Sequence, residues 1–140
     1  MREKSTDKLN NELKKSQNIK MYLSENNSEF INSAIEYMNE LLEQKNLKKS
    51  DVAKNSNLHR TYVYEIFNGD KSPSRDKVIS IAFGMCLNLE ETQKLLKRSG
   101  YRELYSRDSR DSIIIFSLNK KMNVIDCNIL LESLSEEILK

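Results

Sequence analysis

The chain has 140 residues, of which 38% are hydrophobic and 31% charged, and its formal net charge is +2. This length suits one compact domain with extensions, and three glycines, one proline and no tryptophan argue against a turn-rich all-β fold. No apolar stretch approaches the roughly 18 residues of a membrane-spanning helix, and the N-terminus lacks a signal-peptide core. We therefore expect an all-α protein of the cytoplasm with no membrane partner.

Few residues are suited to catalysis or to metal binding. Cys86 and Cys127 form no C-x-x-C pair and His59 is the one histidine, so the four nitrogen or sulfur ligands of a structural zinc site are lacking. The three glycines stand apart from one another, which argues against a glycine-rich phosphate loop. We expect two reduced, packed thiols, no metal, no cofactor and no enzymatic activity.

Charge is unevenly distributed along the chain. Residues 47–77 contain seven Lys and Arg against four Asp and Glu, whereas residues 29–46 and 122–140 each contain one Lys against four acidic residues. The basic excess in the middle has the sign that a polyanionic partner requires, although an ordinary solvated surface has a similar composition.

Residues 1–28 form a polar arm rich in Lys, Asn, Ser and Glu, with too few apolar residues for a core of its own. Two interpretations stay open. The arm is flexible, or it forms two short helices that dock on the domain or on a partner, since Leu9 and Leu13, like Ile19 and Leu23, are one helical turn apart.

Helical patterns follow the arm. The first begins near Ser28 and ends by Asn46, with apolar residues at the spacing of one buried face. A short second helix is expected to begin with Ser50 as its N-cap. A third spans about residues 59–67 and ends at Asn68-Gly69, because both residues tolerate the left-handed conformation.

Polar residues at capping positions predict where the later helices begin. The expected N-caps are Ser74 for a fourth helix, Asn88 for a fifth, Asp108 or Ser109 for a sixth and Asn123 for a seventh. Glu91, three residues after Asn88, predicts a capping box. Residues 113–118 are apolar on every side of the expected sixth helix, so a buried strand is also compatible with them.

Residues 49–67 are typical of two short helices joined by a tight turn. Ala53 supplies the small side chain that closely crossing helices need, and Asn57 tolerates the positive φ that the turn requires. Four apolar residues are expected to face the core: Val52, Leu58, Val63 and Ile66. This is the pattern of a helix-turn-helix, whose second helix is exposed on one side.

The exposed half of that second helix is polar. At about 100° per residue, Arg60, Thr61, Tyr64 and Glu65 share this half. Arginine is suited to bidentate contact with guanine and the threonine methyl to contact with thymine, while Glu65 either reads a cytosine amine or restrains Arg60. The residues suited to phosphates are Lys48, Lys49, Ser50, Asn68, Lys71 and Arg75. An ordinary amphipathic surface helix is the alternative.

Four parts of the chain resemble the phage repressor and Cro-like helix-turn-helix family, known as XRE. They are residues 47–69 (LKKSDVAKNSNLHRTYVYEIFNG), the loop at 72–74 (SPS), the helix after it, and residues 88–92 (NLEET). The resemblance covers about residues 30–100 and implies a λ-repressor-like domain of five helices, with its third helix in the major groove. Two positions depart from the family's pattern: Asn57 stands where glycine is usual, and Ser56 where an apolar residue is frequent.

The resemblance also implies roles for particular residues. It assigns base contacts to Arg60, Thr61 and Glu65, with Tyr64 beside them. It assigns phosphate contacts to Lys48, Lys49 and Asn68, with the following loop nearby.

We predict a polar arm over residues 1–28, a helix-turn-helix DNA-binding domain over 29–100 and a helical extension over 101–140, which packs on the domain or forms a dimer interface. The extension resembles one found in some low-GC bacterial members of the family. The expected function is sequence-specific binding of double-stranded DNA by a homodimeric, repressor-like transcriptional regulator from a bacterium or phage. The alternative is a protein-interaction or antitoxin-like module of the same fold, which binds its partner through residues 1–28 or 101–140.

Overall fold

The computed structural model describes residues 4–15, 18–25 and 33–140, and every regular element in these residues is an α-helix. None of the described helices is long and apolar enough to cross a membrane. The chain divides into two compact units, residues 1–33 and residues 34–140. The helices are α1 (Thr6–Lys15), α2 (Ile19–Glu25), α3 (Ser33–Gln44), α4 (Lys49–Asn55), α5 (Arg60–Asn68), α6 (Arg75–Gly84), α7 (Leu89–Arg98), α8 (Ser109–Asn119) and α9 (Val124–Ser133).

The first unit contains α1 and α2, which contact each other. The hydroxyl of Ser5 accepts a hydrogen bond from the backbone N–H of Lys8, and the Asn18 side chain accepts one from Lys20. Each helix therefore begins with a polar cap that satisfies a backbone donor of its first turn. No residue of α1 is buried, so this helix is stabilised by local interactions more than by a core.

The second unit begins with α3. Its predicted start at Ser28 lies outside the described residues, while its buried face agrees with the expected pattern. The buried residues are Tyr37, Met38, Leu41 and Leu42. Asn46, with a φ of 53°, turns the chain toward α4.

The helix-turn-helix pattern is confirmed by α4 and α5, which pack against each other, while α4 also packs on α6. Asn57 has a φ of 57°, as predicted for the turn. The prediction of Ser50 as N-cap is wrong. Backbone N–H groups of Asp51 and Val52 both donate to the carbonyl of Lys48, so Lys48 is the N-cap, two residues earlier, and Ser50 lies in the first turn.

Helices α4 and α6 approach each other closely at Gly84. A Cβ atom at this position would overlap the Ser56 hydroxyl and lie 2.7 Å from the carbonyl oxygen of Val52, so the crossing requires glycine. Ser56 is buried, and its hydroxyl donates a hydrogen bond to the carbonyl of Val52. The polar residue that departs from the family's pattern is therefore satisfied inside the core.

The later helices begin at the predicted caps, which are Ser74, Asn88, Asp108 and Asn123. Asn88 and Glu91 exchange the reciprocal hydrogen bonds of a capping box. Residues 113–118 are helical, which confirms the predicted sixth helix and excludes a strand for these residues. The run is not buried on all sides, because Phe116 is 50% exposed.

Two crossed ion pairs join the first turn of α6 to the first turn of α8. The Arg75 guanidinium donates to both carboxylate oxygens of Asp111 at 3.2 and 3.0 Å. The Arg110 guanidinium donates to both carboxylate oxygens of Asp76 at 3.1 and 2.9 Å. Bidentate pairs fix direction as well as distance, so residues 109–119 are held on α6 in a defined orientation.

The two carboxylates of these pairs differ in their surroundings. Asp111 is fully buried, whereas Asp76 is partly exposed. Burial raises the pKa of Asp76, but hydrogen bonds from Arg110 and from the backbone N–H of Lys140, with the positive charges nearby, outweigh it. The pKa of Asp76 therefore lies below its ordinary value.

Other hydrogen bonds attach the C-terminal residues to the same part of the fold. Tyr101 donates its hydroxyl proton to the carbonyl of Pro73 at 2.6 Å, in the loop that follows α5. Arg110 also donates to the carbonyls of residues 137 and 138. The extension thus supports the loop and the helix that follow α5.

Both cysteines are free. Cys127 is buried, as expected, and burial raises the pKa of its thiol, which keeps the sulfur protonated. The prediction of a packed thiol is wrong for Cys86, which is exposed. This residue follows α6 with a φ of 55° at the turn toward α7, where the chain reaches the surface.

Candidate nucleic-acid interface

Helix α5 begins at an exposed histidine. Nδ1 of His59 accepts a hydrogen bond at 3.2 Å from the backbone N–H of Thr61, so His59 is the N-cap. With Nδ1 as acceptor, a neutral imidazole carries its proton on Nε2, which makes that atom a donor. His59 was not among the contact residues predicted from the sequence, although its position directly before Arg60 was a signal that could have found it.

Arg60 is held by Tyr64, one helical turn further along. Nε of Arg60 donates to the Tyr64 hydroxyl at 3.1 Å, and the guanidinium carbon lies 5.3 Å from the centre of the tyrosine ring. No described residue bonds the two terminal nitrogens of Arg60. An end-on bidentate contact with a guanine uses these two nitrogens. The arginine is therefore both exposed and pre-oriented.

Glu65 interacts with the loop that follows α5. Its carboxylate lies 3.6 Å from Nζ of Lys71, and its backbone carbonyl accepts from the backbone N–H of Lys71 at 3.3 Å. Gly69, with a φ of 85°, ends the helix and turns the loop back toward Glu65. The alternative in which Glu65 restrains Arg60 is wrong, because Tyr64 has that contact.

One group of predicted phosphate residues lies around α4. Lys48 is exposed, and Lys49 and Ser50 are partly exposed in the first turn. Nζ of Lys49 lies 5.9 Å from the centre of the Phe67 ring, near the end of α5. Asn68, the exposed last residue of α5, adjoins Phe67. The structure therefore brings a basic side chain of α4 to the C-terminal end of α5.

A second basic group surrounds the partly exposed Tyr62. Nζ of Lys71 lies 6.0 Å and Nζ of Lys77 5.9 Å from the centre of this ring. Lys77 is not among the phosphate contacts predicted from the sequence. It lies in the first turn of α6, and only the packing of the loop places it beside α5.

Arg75 has a different environment from the other predicted residues. Besides its bonds to Asp111, its guanidinium donates to the carbonyls of Arg102 at 3.1 Å and Glu103 at 3.2 Å. Only 15% of its side chain is exposed. Arg75 thus joins α6 to the extension, and its charge is matched inside the protein.

Residues 38–82, from α3 through most of α6, match a family model described as helix-turn-helix. This segment is a helix-turn-helix domain of the phage repressor and Cro-like class. The match and the all-helical architecture of the described residues together indicate the λ-repressor-like fold class. No characterised protein and no solved structure matches the chain at a significant level.

The helix-turn-helix family consists of DNA-binding domains, so DNA binding is the general function that the match supports. The matched segment contains all of α4 and α5 and the two basic groups beside them. Helices α7, α8 and α9 lie outside it. In the described residues, no group of three or more His, Cys, Asp or Glu side chains is arranged to hold a metal ion.

Proposed function

We propose that the chain is a sequence-specific DNA-binding regulator of transcription that acts in the manner of a repressor and has no catalytic activity. The observation that carries the proposal is the exposed Arg60 guanidinium, oriented by Tyr64 and unbonded at its terminal nitrogens. In this proposal α5 enters the major groove. Arg60, Thr61 and Glu65 contact base edges, while Tyr64 acts chiefly by orienting Arg60.

We assign phosphate contacts to two groups that flank α5. The first consists of Lys48, Lys49, Ser50 and Asn68, and the second of Lys71 and Lys77. Arg75 is left out because its charge is matched by Asp111. Four lysines on phosphates predict a slope of about −3 to −4 in a plot of log affinity against log salt for each protomer.

The chain is proposed to bind as a homodimer in the cytoplasm. Two recognition helices related by a two-fold axis fit a palindromic operator, whose half-sites lie about one helical turn apart. Occupation of such a site would block transcription.

Salt titration of duplex binding tests the proposal. Lys49→Ala is expected to weaken binding to all duplex sequences alike and to reduce the salt slope by about 1. Arg60→Ala is expected to lose about 1–3 kcal/mol of binding free energy on the preferred sequence and little on unrelated DNA. Arg107→Ala, an exposed arginine of the extension, is the control and should change neither quantity. Absence of duplex binding at low salt would contradict the proposal.

Tyr64→Phe isolates the orienting role, since it removes only the hydroxyl that holds Arg60. We expect part of the base discrimination to be lost while the salt slope stays unchanged. Equal loss on specific and unrelated DNA would contradict this role.

A second candidate is a protein-interaction module that uses the same fold. Exposed apolar side chains in the extension favour it. Deleting residues 1–28 and measuring both DNA affinity and co-purification of a partner separates the two candidates. Loss of the partner with unchanged DNA affinity would favour the second, and no change in either quantity would make the arm a linker.

A further inference from the structure

A cavity lies where the turn after α6 meets the turn after α8. Its volume is about 180 Å³. The residues that line it are Phe83, Cys86, Leu87, Leu118, Lys121 and Met122. Four of the six have hydrocarbon or thioether side chains, and three of these four, Phe83, Leu87 and Leu118, are buried. The lining contains no residue of α4 or α5, so the cavity is separate from the candidate nucleic-acid interface.

The two polar side chains of the lining occupy equivalent positions, one in each turn. Cys86 has a φ of 55° and Lys121 a φ of 56°, and both residues are exposed. In each turn the backbone N–H of the following residue donates to the carbonyl five residues earlier, which ends the helix. Glycine is the usual residue at this left-handed position, because a Cβ atom is unfavourable there. Two unfavourable positions thus place a thiol and an ammonium group at the mouth of one cavity.

Lys121 supplies the positive charge of the cavity. Its ammonium group forms no ion pair with a carboxylate among the described residues. The neighbouring Lys120 has a different environment, because its Nζ lies 5.7 Å from the centre of the Phe116 ring and the residue does not line the cavity. An occupant with an apolar body and one negative charge matches both the apolar lining and the ammonium group of Lys121.

We propose that this cavity binds a small apolar carboxylic acid, an anion with one carboxylate on an aromatic ring or on a short alkyl chain. An apolar cavity of about 150 Å³ binds benzene, so the volume here accommodates a body of that size. The body contacts Phe83, Leu87 and Leu118, and the carboxylate pairs with the ammonium group of Lys121 at the mouth. A phosphate monoester carries nearly two negative charges, whereas the lining offers a single cation, so a monocarboxylate is the better match.

This ligand site is independent of DNA recognition. None of the lining residues is assigned to bases or to phosphates, and the ligand contacts Phe83 of α6 and Leu118 of α8 together. Binding measured without DNA therefore tests the site separately from the proposed function. A chain that binds the acid but no duplex would retain this site and lose only the proposed function.

Protection of Cys86 from alkylation is the first experiment, with the full chain and without DNA. Iodoacetamide is a neutral reagent that reacts with thiolates, and at about pH 8 the exposed Cys86 should react while the buried Cys127 does not. Benzoate is the probe. We expect it to slow the alkylation of Cys86 at least about fivefold at saturation, with half of the effect at about 1 mM, an affinity that a ligand of this size can reach.

Two further compounds separate the two parts of the ligand. Benzyl alcohol has the ring without the charge, so it should protect Cys86 only at concentrations about tenfold higher than benzoate. Acetate has the carboxylate without the ring and should give no protection at equal ionic strength.

Lys121→Met tests the pairing with the carboxylate. This variant is expected to weaken the protection by benzoate about tenfold and to leave that by benzyl alcohol unchanged. Lys120→Met is the matched control, because it removes the adjacent lysine, which does not line the cavity, and it should change neither quantity.

The methyl group of Met122 gives a second readout that does not depend on the thiol. In the chain labelled with ¹³C at its methionine methyl groups, benzoate should shift the NMR signal of Met122 and leave that of Met38, buried in α3, unchanged. An unchanged alkylation rate and an unchanged Met122 signal at about 20 mM benzoate would overturn the proposal. Equal protection by benzyl alcohol and benzoate, or equal benzoate affinity in Lys121→Met and Lys120→Met, would also overturn it.

Discussion

Removal of the Arg75 side-chain charge is expected to destabilise the protein strongly. In Arg75→Met the carboxylate of Asp111 stays fully buried and retains the hydrogen bond that it accepts from the backbone N–H of Tyr105, at 3.1 Å. Breaking a buried ion pair by removing one partner costs about 3–5 kcal/mol. Small domains have a total stability of only about 5–15 kcal/mol. The variant should therefore lose a large share of its stability.

The cost of protonating the Asp111 carboxylate sets an upper limit to this loss of stability, because the variant can fold with a neutral carboxyl instead of a buried charge. At pH 7, adding a proton to an ordinary aspartic acid costs about 4 kcal/mol, and this cost falls by about 1.4 kcal/mol for each pH unit. The unpaired carboxyl in the variant binds a proton more readily when folded than when unfolded, so its penalty shrinks as the pH falls. For a domain of about 100 residues, 1 kcal/mol corresponds to about 4 °C in Tm. We expect a decrease of about 12–16 °C at pH 7 and of about 6 °C near pH 5.

Thermal unfolding followed by circular dichroism at both pH values measures the effect. Arg107→Met is the matched control because this arginine is exposed, and its Tm should change by less than about 2 °C. Combining Arg75→Met with Asp111→Leu should recover most of the loss, since no unpaired charge remains. A decrease below about 4 °C at pH 7, or an equal decrease at pH 5, would refute the reasoning.

Two further perturbations follow from the packing and from the second ion pair. Gly84→Ala should lower the free energy of unfolding by about 2 kcal/mol, although alanine is intrinsically better in a helix by about 1 kcal/mol. Urea titration measures this loss, and adding Ser56→Gly should recover only part of it because the carbonyl of Val52 stays in the way. Asp76→Asn should reduce the free energy of unfolding at pH 7. Below about pH 4, this free energy should fall less steeply with decreasing pH than it does in the unaltered chain. The pKa of Asp76 is depressed in the folded state, so the stabilisation is present above the unfolded pKa and is lost as the pH falls through the folded pKa. Urea midpoints between pH 2 and 7 check this, and an unchanged acid limb in the variant would contradict it.

Local chemistry made much of the fold predictable. Ser74, Asn88 and Asn123 cap helices because each side chain accepts a hydrogen bond from the backbone three residues later, so the signal is short in sequence. The turn at Asn57 follows from its tolerance of positive φ. The prediction for Ser50 failed because the N-cap of α4 is Lys48, two residues earlier, which caps the helix without a side-chain hydrogen bond.

Long-range packing was not predictable from the same patterns. Arg75 has the composition and position of a phosphate contact, yet its partner Asp111 is 36 residues away. Similarly, only the close approach of Ser56 and of the Val52 carbonyl explains why glycine is required at position 84. Arg60 and Tyr64 were selected as base contacts from their shared face. The direct bond that makes Tyr64 an orienting residue required the side-chain geometry.

The central claim is that α5 recognises a DNA sequence through Arg60. Selection of bound sequences from random duplex DNA, carried out in parallel with the unaltered chain and Arg60→Ala, tests this claim most directly. We expect a two-fold symmetric motif for the unaltered chain, with a guanine in each half-site, and we expect the preference for this guanine to disappear in the variant. Enrichment of no motif, or of the same motif by both proteins, would contradict the assignment of α5 and Arg60 to sequence recognition.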